Sequence, residues 1–278
     1  MAQPPPFLDG TFEWNGLGYG LATASPPLPD PLSPQLNDEW LILASTLELA
    51  KQGNWRGLPR LADTMRKSSN ALVWRGCADL LGHAGTTTLI KGILHQHKQE
   101  LGPEGSILFQ EHIAYTLHET CSLWAVPLIL DLYLQSPDRA EARIMVLLLS
   151  HLLEPELGPI AQAEAPDQEY RQLVMQRADD LSARYGGPTA TVLYGQLASA
   201  RYLAETLYAQ LSAAKTTWLM YDRKLFEALT GFDCRSFYRE RRLQPLAAMG
   251  ALETVLESSE LDRFEPGVRC FFGHRIPA

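Results

Sequence analysis

Leu58-Pro59-Arg60-Leu61, Val126-Pro127-Leu128 and Gly158-Pro159-Ile160 decide how this chain is read. Each places a proline where a helix would begin. Proline suits the first helical turn, because the N–H it lacks has no intrahelical partner there. The first two prolines lie 68 residues apart (59 to 127) and the third follows after 32 (127 to 159). A period of about 34 fits these intervals if one copy, near Lys91, lacks its proline, and periods of roughly 30–47 residues with two helices per unit mark α-solenoids.

Working outward from these prolines, short helical patterns follow one another. Asn37 or Asp38 caps a helix running to about Gln52, in which Trp40, Leu43, Ala44, Leu47 and Ala50 keep helical spacing and Gly53 provides the stop. Helices are then expected over Leu58–Lys67, Asn70–His83, Thr86–Gln99, Ser106–Glu119, Trp124–Gln135 and Asp138–Leu153, with a shorter one from Pro159. Beyond Asp167 the pattern changes. Gln168–Tyr185 reads as a helix ended by Gly186-Gly187-Pro188. Leu193, Leu197, Ala200, Ala204, Leu207 and Leu211 step by four and three, which predicts one long helix from Thr189 to about Ala214. Thr216–Leu229 and Phe237–Leu256 complete the helical expectations.

The repeated stretch resembles HEAT-type repeats. In that family a first helix carries an Arg-x-x-Ala run that ends in Leu-Gly, matched by Arg75-Gly76-Cys77-Ala78-Asp79-Leu80-Leu81-Gly82. A second helix opens with Val-Pro-x-Leu-like residues, matched by Leu58-Pro59-Arg60-Leu61 and Val126-Pro127-Leu128-Ile129. The match covers a third to two-fifths of the chain. The resemblance implies an all-α fold, a HEAT-like α-solenoid of antiparallel helix pairs. The expected organisation is an acidic Pro/Gly-rich arm packed on the body (1–37), the HEAT-like repeats (38–165), a helical half continuous with them (166–262) and an aromatic docking tail (263–278). Pro266-Gly267 predicts a turn in that tail and Val268–Phe272 a short extended segment.

Chemistry is sparse. The formal charge is −8, which disfavours nucleic acid as a main partner, since phosphate binding needs concentrated Lys and Arg. No basic region followed by an apolar core opens the chain, and no apolar run approaches membrane-spanning length, so a cytoplasmic protein is expected. Cys77, Cys121, Cys234 and Cys270 form no CxxC pair and read as reduced, mostly buried thiols. His95 and His97 point about 200° apart on a helix, unsuited to sharing one metal. His118-Glu119 lacks the second His of a zinc-protease helix. Gly16-Leu17-Gly18-Tyr19-Gly20 lacks the preceding strand and following helix of a nucleotide loop and reads as a turn. The sequence therefore gives no catalytic residue, metal or cofactor.

What remains is a surface. No basic residue lies between Arg143 and Arg171, while Glu154, Glu156, Glu164, Asp167 and Glu169 do, an acidic stretch able to steer and hold a basic partner. Solenoids bind along the face lined by the second helix of each pair, which adds Asp63, Lys67, His95, Asp131 and Gln135 as contact candidates. The resemblance then implies a non-catalytic binding protein, most concretely an immunity protein that neutralises a basic bacterial toxin domain. Two other readings stand beside it. One is a scaffold or adaptor that binds a helix or peptide in its groove. The other is a HEAT-like enzyme of the DNA glycosylase or lyase type, which the charge of −8 disfavours.

Overall fold

The protein is described here from a computed structural model, in Tyr19 and residues 28–100, 107–136, 139–155, 158–162, 168–215, 217–239 and 242–277. The chain is predominantly helical, with 68 % of it in helix and twelve α-helices among the described residues. They are α1 (Glu39–Lys51), α2 (Leu58–Lys67), α3 (Ala71–Ala84), α4 (Thr87–Glu100), α5 (Ile107–Glu119), α6 (Val126–Gln135), α7 (Arg139–Leu153), α8 (Pro159–Gln162), α9 (Gln168–Tyr185), α10 (Ala200–Ser212), α11 (Leu219–Thr230) and α12 (Pro245–Glu257). Three two-residue antiparallel hairpins complete the description: β1–β2 (Val192–Leu193, Gln196–Leu197), β3–β4 (Tyr238–Arg239, Arg242–Leu243) and β5–β6 (Cys270–Phe271, His274–Arg275). No helix among the described residues is long and apolar enough to cross a membrane.

Local chemistry accounts for most helix boundaries. Asp38 caps α1, its carboxylate accepting from the N–H groups of Trp40 and Leu41. Pro59 and Pro127 each sit in the first turn of a ten-residue helix, α2 and α6. A single 3₁₀ turn precedes each of these helices, Trp55–Gly57 and Leu123–Ala125. The residues entering them, Gly57 (φ −77°, ψ −20°) and Ala125 (φ −79°, ψ −22°), share one conformation. The interval of 68 is therefore a repeat of helix, 3₁₀ turn, proline-led helix and helix, in α1–α3 and again in α5–α7. His83 near the end of α3 and His151 near the end of α7 keep the same interval. The expected intermediate copy falls differently: Lys91 lies inside α4, and Pro159 opens a helix of only four residues.

The chain divides into two compact units. Unit one comprises Met1–Gly85, Ser199–Glu265 and Arg269–Pro277. In it α1, α2 and α3 each pack on the other two, α10 packs on α11 and α12, and β5 lies on α3 and α11, with Phe271 fully buried. Unit two comprises Thr86–Ala198 with Pro266–Val268 and Ala278. Here α5, α6 and α7 form a mutually packed trio, and α9 covers α6 and α7 with Tyr170, Val174, Ala178 and Leu181.

Two expected helices end up shorter, for a shared reason. The stretch from Thr189 begins with the β1–β2 hairpin, and α10 starts only at Ala200, capped by Ser199. The hairpin turns at Tyr194 (φ 53°) and Gly195 (φ 68°), the paired left-handed conformations of a type I′ turn. Its backbone then caps α7: Tyr194 N–H donates to the His151 carbonyl (2.7 Å) and Gly195 N–H to that of Leu152 (2.9 Å), while the Arg177 side chain of α9 donates its Nε–H to that of Leu153 (3.1 Å). Terminal helix carbonyls have no intrahelical donor, so this hairpin satisfies groups that burial would otherwise leave costly. A Cβ at Gly195 would stand 2.8 Å from the Leu153 carbonyl oxygen, so only glycine fits.

The tail repeats the device in unit one. Phe272 (φ 49°) and Gly273 (φ 81°) turn β5–β6, and their N–H groups donate to the carbonyls of Ala228 and Leu229 at the end of α11. The other shortened helix, expected over Phe237–Leu256, is interrupted by β3–β4. Pro245 then starts α12, because proline belongs in a first turn and not in a helix interior.

Cys77, Cys121 and Cys234 are buried and Cys270 is half-buried, all four with free thiols. Burial pushes the Cys77 thiol well up, and burial raises Cys270 too, with Arg275 opposing. A colorimetric thiol titration is expected to find one slowly reacting cysteine in the native protein and four in denaturant. Immediate reaction of all four under native conditions would contradict this packing.

Candidate functional site

Unit one is built around buried charge. On α11, Asp222, Arg223, Lys224 and Glu227 are all buried. Arg223 and Glu227, one turn apart, pair at 3.1 Å with side chains 1 % and 3 % exposed. Lys224 pairs with Asp79 of α3 at 2.5 Å, and Gln210 of α10 donates to Asp222 at 2.5 Å. Tyr19 is fully buried among these groups. Its hydroxyl meets His83 Nδ1 at 2.5 Å, its carbonyl accepts from Lys51 Nζ at 3.1 Å, and Lys224 Nζ stands 5.8 Å from its ring centre. Phe271 and Phe272 lie against the same ring. Burial pulls the Lys51 amine below its ordinary range, opposed by the Glu48 carboxylate 2.8 Å away.

A buried amine of this kind is a candidate nucleophile by its chemistry. Here it donates to Glu48 and to the Tyr19 backbone, so the arrangement holds charge in place and fastens Tyr19 between α1, α3 and α11. Arg269 adds a further clamp, donating to the Gly82 and Gly85 carbonyls at the end of α3.

In unit two, His118 Nε2 and His151 Nδ1 meet at 2.8 Å, with the two rings stacked and the Tyr194 ring edge-on to His151. One of the two ring nitrogens donates and the other accepts, as the tautomers decide. Cys121, beside His118 in sequence, lies past the end of α5 in the left-handed region (φ 50°), and its carbonyl accepts from Val192 N–H. The described residues contain no group of three or more His, Cys, Asp or Glu side chains arranged to hold a metal ion.

The contact candidates distribute as follows. In unit one, Asp63 and Lys67 are exposed on α2, Asp63 in an ion pair with Arg66. In unit two, His95 is exposed on α4, Gln135 is exposed at the end of α6, and Glu169 is exposed in the first turn of α9. Asp131 of α6 pairs with Arg171 of α9 at 3.3 Å. Glu154 belongs elsewhere than the expected surface loop. It is buried, it accepts from Ser150 and from the Ile160 N–H that opens α8, and a Cβ at Gly158 would strike its carboxylate. A carboxylate at a helix N-terminus is held there by unpaired N–H groups, so Glu154 serves the fold. Glu156, Glu164 and Asp167 lie outside the described residues, as does the arm except for Tyr19 and the residues from 28 onward.

The structure brings forward a face that the sequence reading did not single out. With Tyr170, Val174, Ala178 and Leu181 turned inward, α9 exposes Glu169, Gln172, Leu173, Gln176, Asp179 and Asp180. Leu173 is 38 % exposed amid acids and amides. The signal was present as helical periodicity, an apolar residue out of step with its stripe. Comparison of the chain with protein-family models, with curated proteins and with solved structures gives no match to any of them.

Proposed function

We propose that this chain is a non-catalytic, protein-binding helical repeat protein of HEAT-like solenoid type. In its most concrete form it is an immunity protein that binds and neutralises a basic bacterial toxin domain in the cytoplasm. The observation that carries the reading is the outer face of α9. An exposed apolar residue, Leu173, shares the outer face of α9 with Glu169, Asp179 and Asp180 and with the amides of Gln172 and Gln176, and α9 packs on α6, which carries Asp131 and Gln135. Such a face combines an apolar anchor with exposed carboxylates able to pair with the cations of a basic partner. The two copies of the proline-led helical unit support the repeat architecture.

The test is co-expression with the toxin encoded beside the gene, with pull-down of the complex. Protection and capture are expected, and Leu173→Arg with Asp180→Lys should weaken capture by about tenfold or more, as loss of an anchor and reversal of a rim charge do. Failure to protect together with failure to bind would sink the proposal.

A further inference from the structure

We infer that the β3–β4 hairpin and the start of α12 form a second interaction surface, which takes an acidic α-helix with an apolar face from a partner protein. The chain as a whole is acidic, yet Arg235, Arg239, Arg241 and Arg242 fall close together in sequence. Arg235 is committed to Asp233, which holds it through both carboxylate oxygens. Arg239 and Arg242 are different. They are direct partners across the hairpin, both are exposed, and neither forms an ion pair with a carboxylate of the described residues. Like charges directly opposite one another in an antiparallel pair repel, so the hairpin by itself does not favour this placement.

The platform beneath them is held firmly. Phe237 is buried, Gln244 N–H donates to its carbonyl at 2.7 Å, and the Arg223 guanidinium stands 5.4 Å from the Tyr238 ring centre. Two residues beyond β4, Pro245 opens α12 and the next side chain, Leu246, is 85 % exposed, far more than any other exposed large hydrophobic among the described residues. One turn further along the same face is Gly250, where an added Cβ would meet nothing within 4 Å. Glycine is the poorest residue for a helix interior apart from proline. Residues four apart share a helix face, so an apolar knob and a notch bare of side chain lie one turn apart on α12, and the two guanidinium groups sit on the hairpin that leads into that helix.

That order selects the occupant. A helix crossing α12 would bury Leu246 and approach closely at Gly250, in the way ridges enter grooves. Carboxylates on its flank would answer Arg239 and Arg242 with bidentate geometry. Nucleic acid fits less well, because it needs a denser run of cations and has no use for an exposed leucine. These residues lie on other elements than α9, so the inference does not rest on the proposed function.

The experiment is fluorescence anisotropy on the full chain with three labelled probes: an amphipathic helical peptide of Glu and Leu, a scrambled peptide of the same composition, and an oligothymidylate. The amphipathic peptide is expected to bind best. Arg239→Glu with Arg242→Glu should lower its affinity by about tenfold or more, as reversal of interfacial charge does. Gly250→Leu should weaken binding to a similar degree while holding or raising the melting temperature, since the space is open and leucine favours helix. That combination separates a blocked surface from a damaged fold. The inference is overturned if the wild-type chain does not bind the amphipathic peptide, if the scrambled peptide or the oligothymidylate binds as tightly, or if both variants keep wild-type affinity.

Discussion

Leu130→Asp is expected to unfold unit two. Leu130 is fully buried on α6, in the trio that α6 forms with α5 and α7. A carboxylate there loses its water and finds an apolar seam, a cost expected to exceed about 4 kcal/mol, at the far end of what single substitutions do. The comparison is Gln135→Asp, five residues on at the exposed end of the same helix, where a change within about 0.5 kcal/mol is expected. Thermal melting followed by near- and far-UV circular dichroism distinguishes the two. An unchanged melting temperature for Leu130→Asp would show that the register of α6 is misassigned.

Glu227→Ala is the second large expectation. Glu227 and Arg223 are among the most deeply buried charges described, and removing one partner leaves the other's charge in a medium that solvates it poorly. The expected loss is about 3–5 kcal/mol, read from denaturant midpoints. Lys51 also senses the Glu227 carboxylate, which favours its charged form, so the vacancy affects more than one cation. The paired replacement Arg223→Met with Glu227→Leu is the informative control. Exchanging a whole buried ion pair for apolar groups of similar volume is often near neutral. A double variant as unstable as Glu227→Ala alone would mean that the pair is tied to the rest of the network around Tyr19. A single variant of wild-type stability would contradict the burial itself.

Much of the helical layout was legible in the residues. Pro59 and Pro127 mark the starts of α2 and α6, Asp38 caps α1, and the apolar spacing of α1 through α7 reads correctly because a helix is held by contacts three and four residues apart. Pro245 is likewise a local signal, separating the β3–β4 hairpin from α12 within a stretch whose apolar spacing alone looks like one helix.

The candidate surface was legible only in part. Glu169 and Gln135 are exposed, while Asp131 is half-buried and paired with Arg171, and no local pattern in the residues discloses that pairing. Glu154 sits in the same acidic run, yet its role as a buried cap depends on Gly158 and Ile160 folding back over it. The Arg239–Arg242 pairing needs the hairpin register, which a run of arginines does not disclose.

The sequence by itself determined where helices begin and what their inward faces are, because proline geometry, side-chain caps and a period of 3.6 act over a few residues. The tertiary structure alone decided three things. Leu193 and Leu197 match a helical seam, but the hairpin prevails because its positive-φ turn caps α7, whose carbonyls lie some forty residues away in the chain. Asp79 and Lys224 look like solvated charges until α3 and α11 meet. Tyr19, in a Gly-rich stretch without periodicity, gains its place from His83, Lys51 and Lys224, each distant from it in the chain. In each case the deciding free energy is that of a buried polar group finding its partner, and that partner is supplied by chain topology.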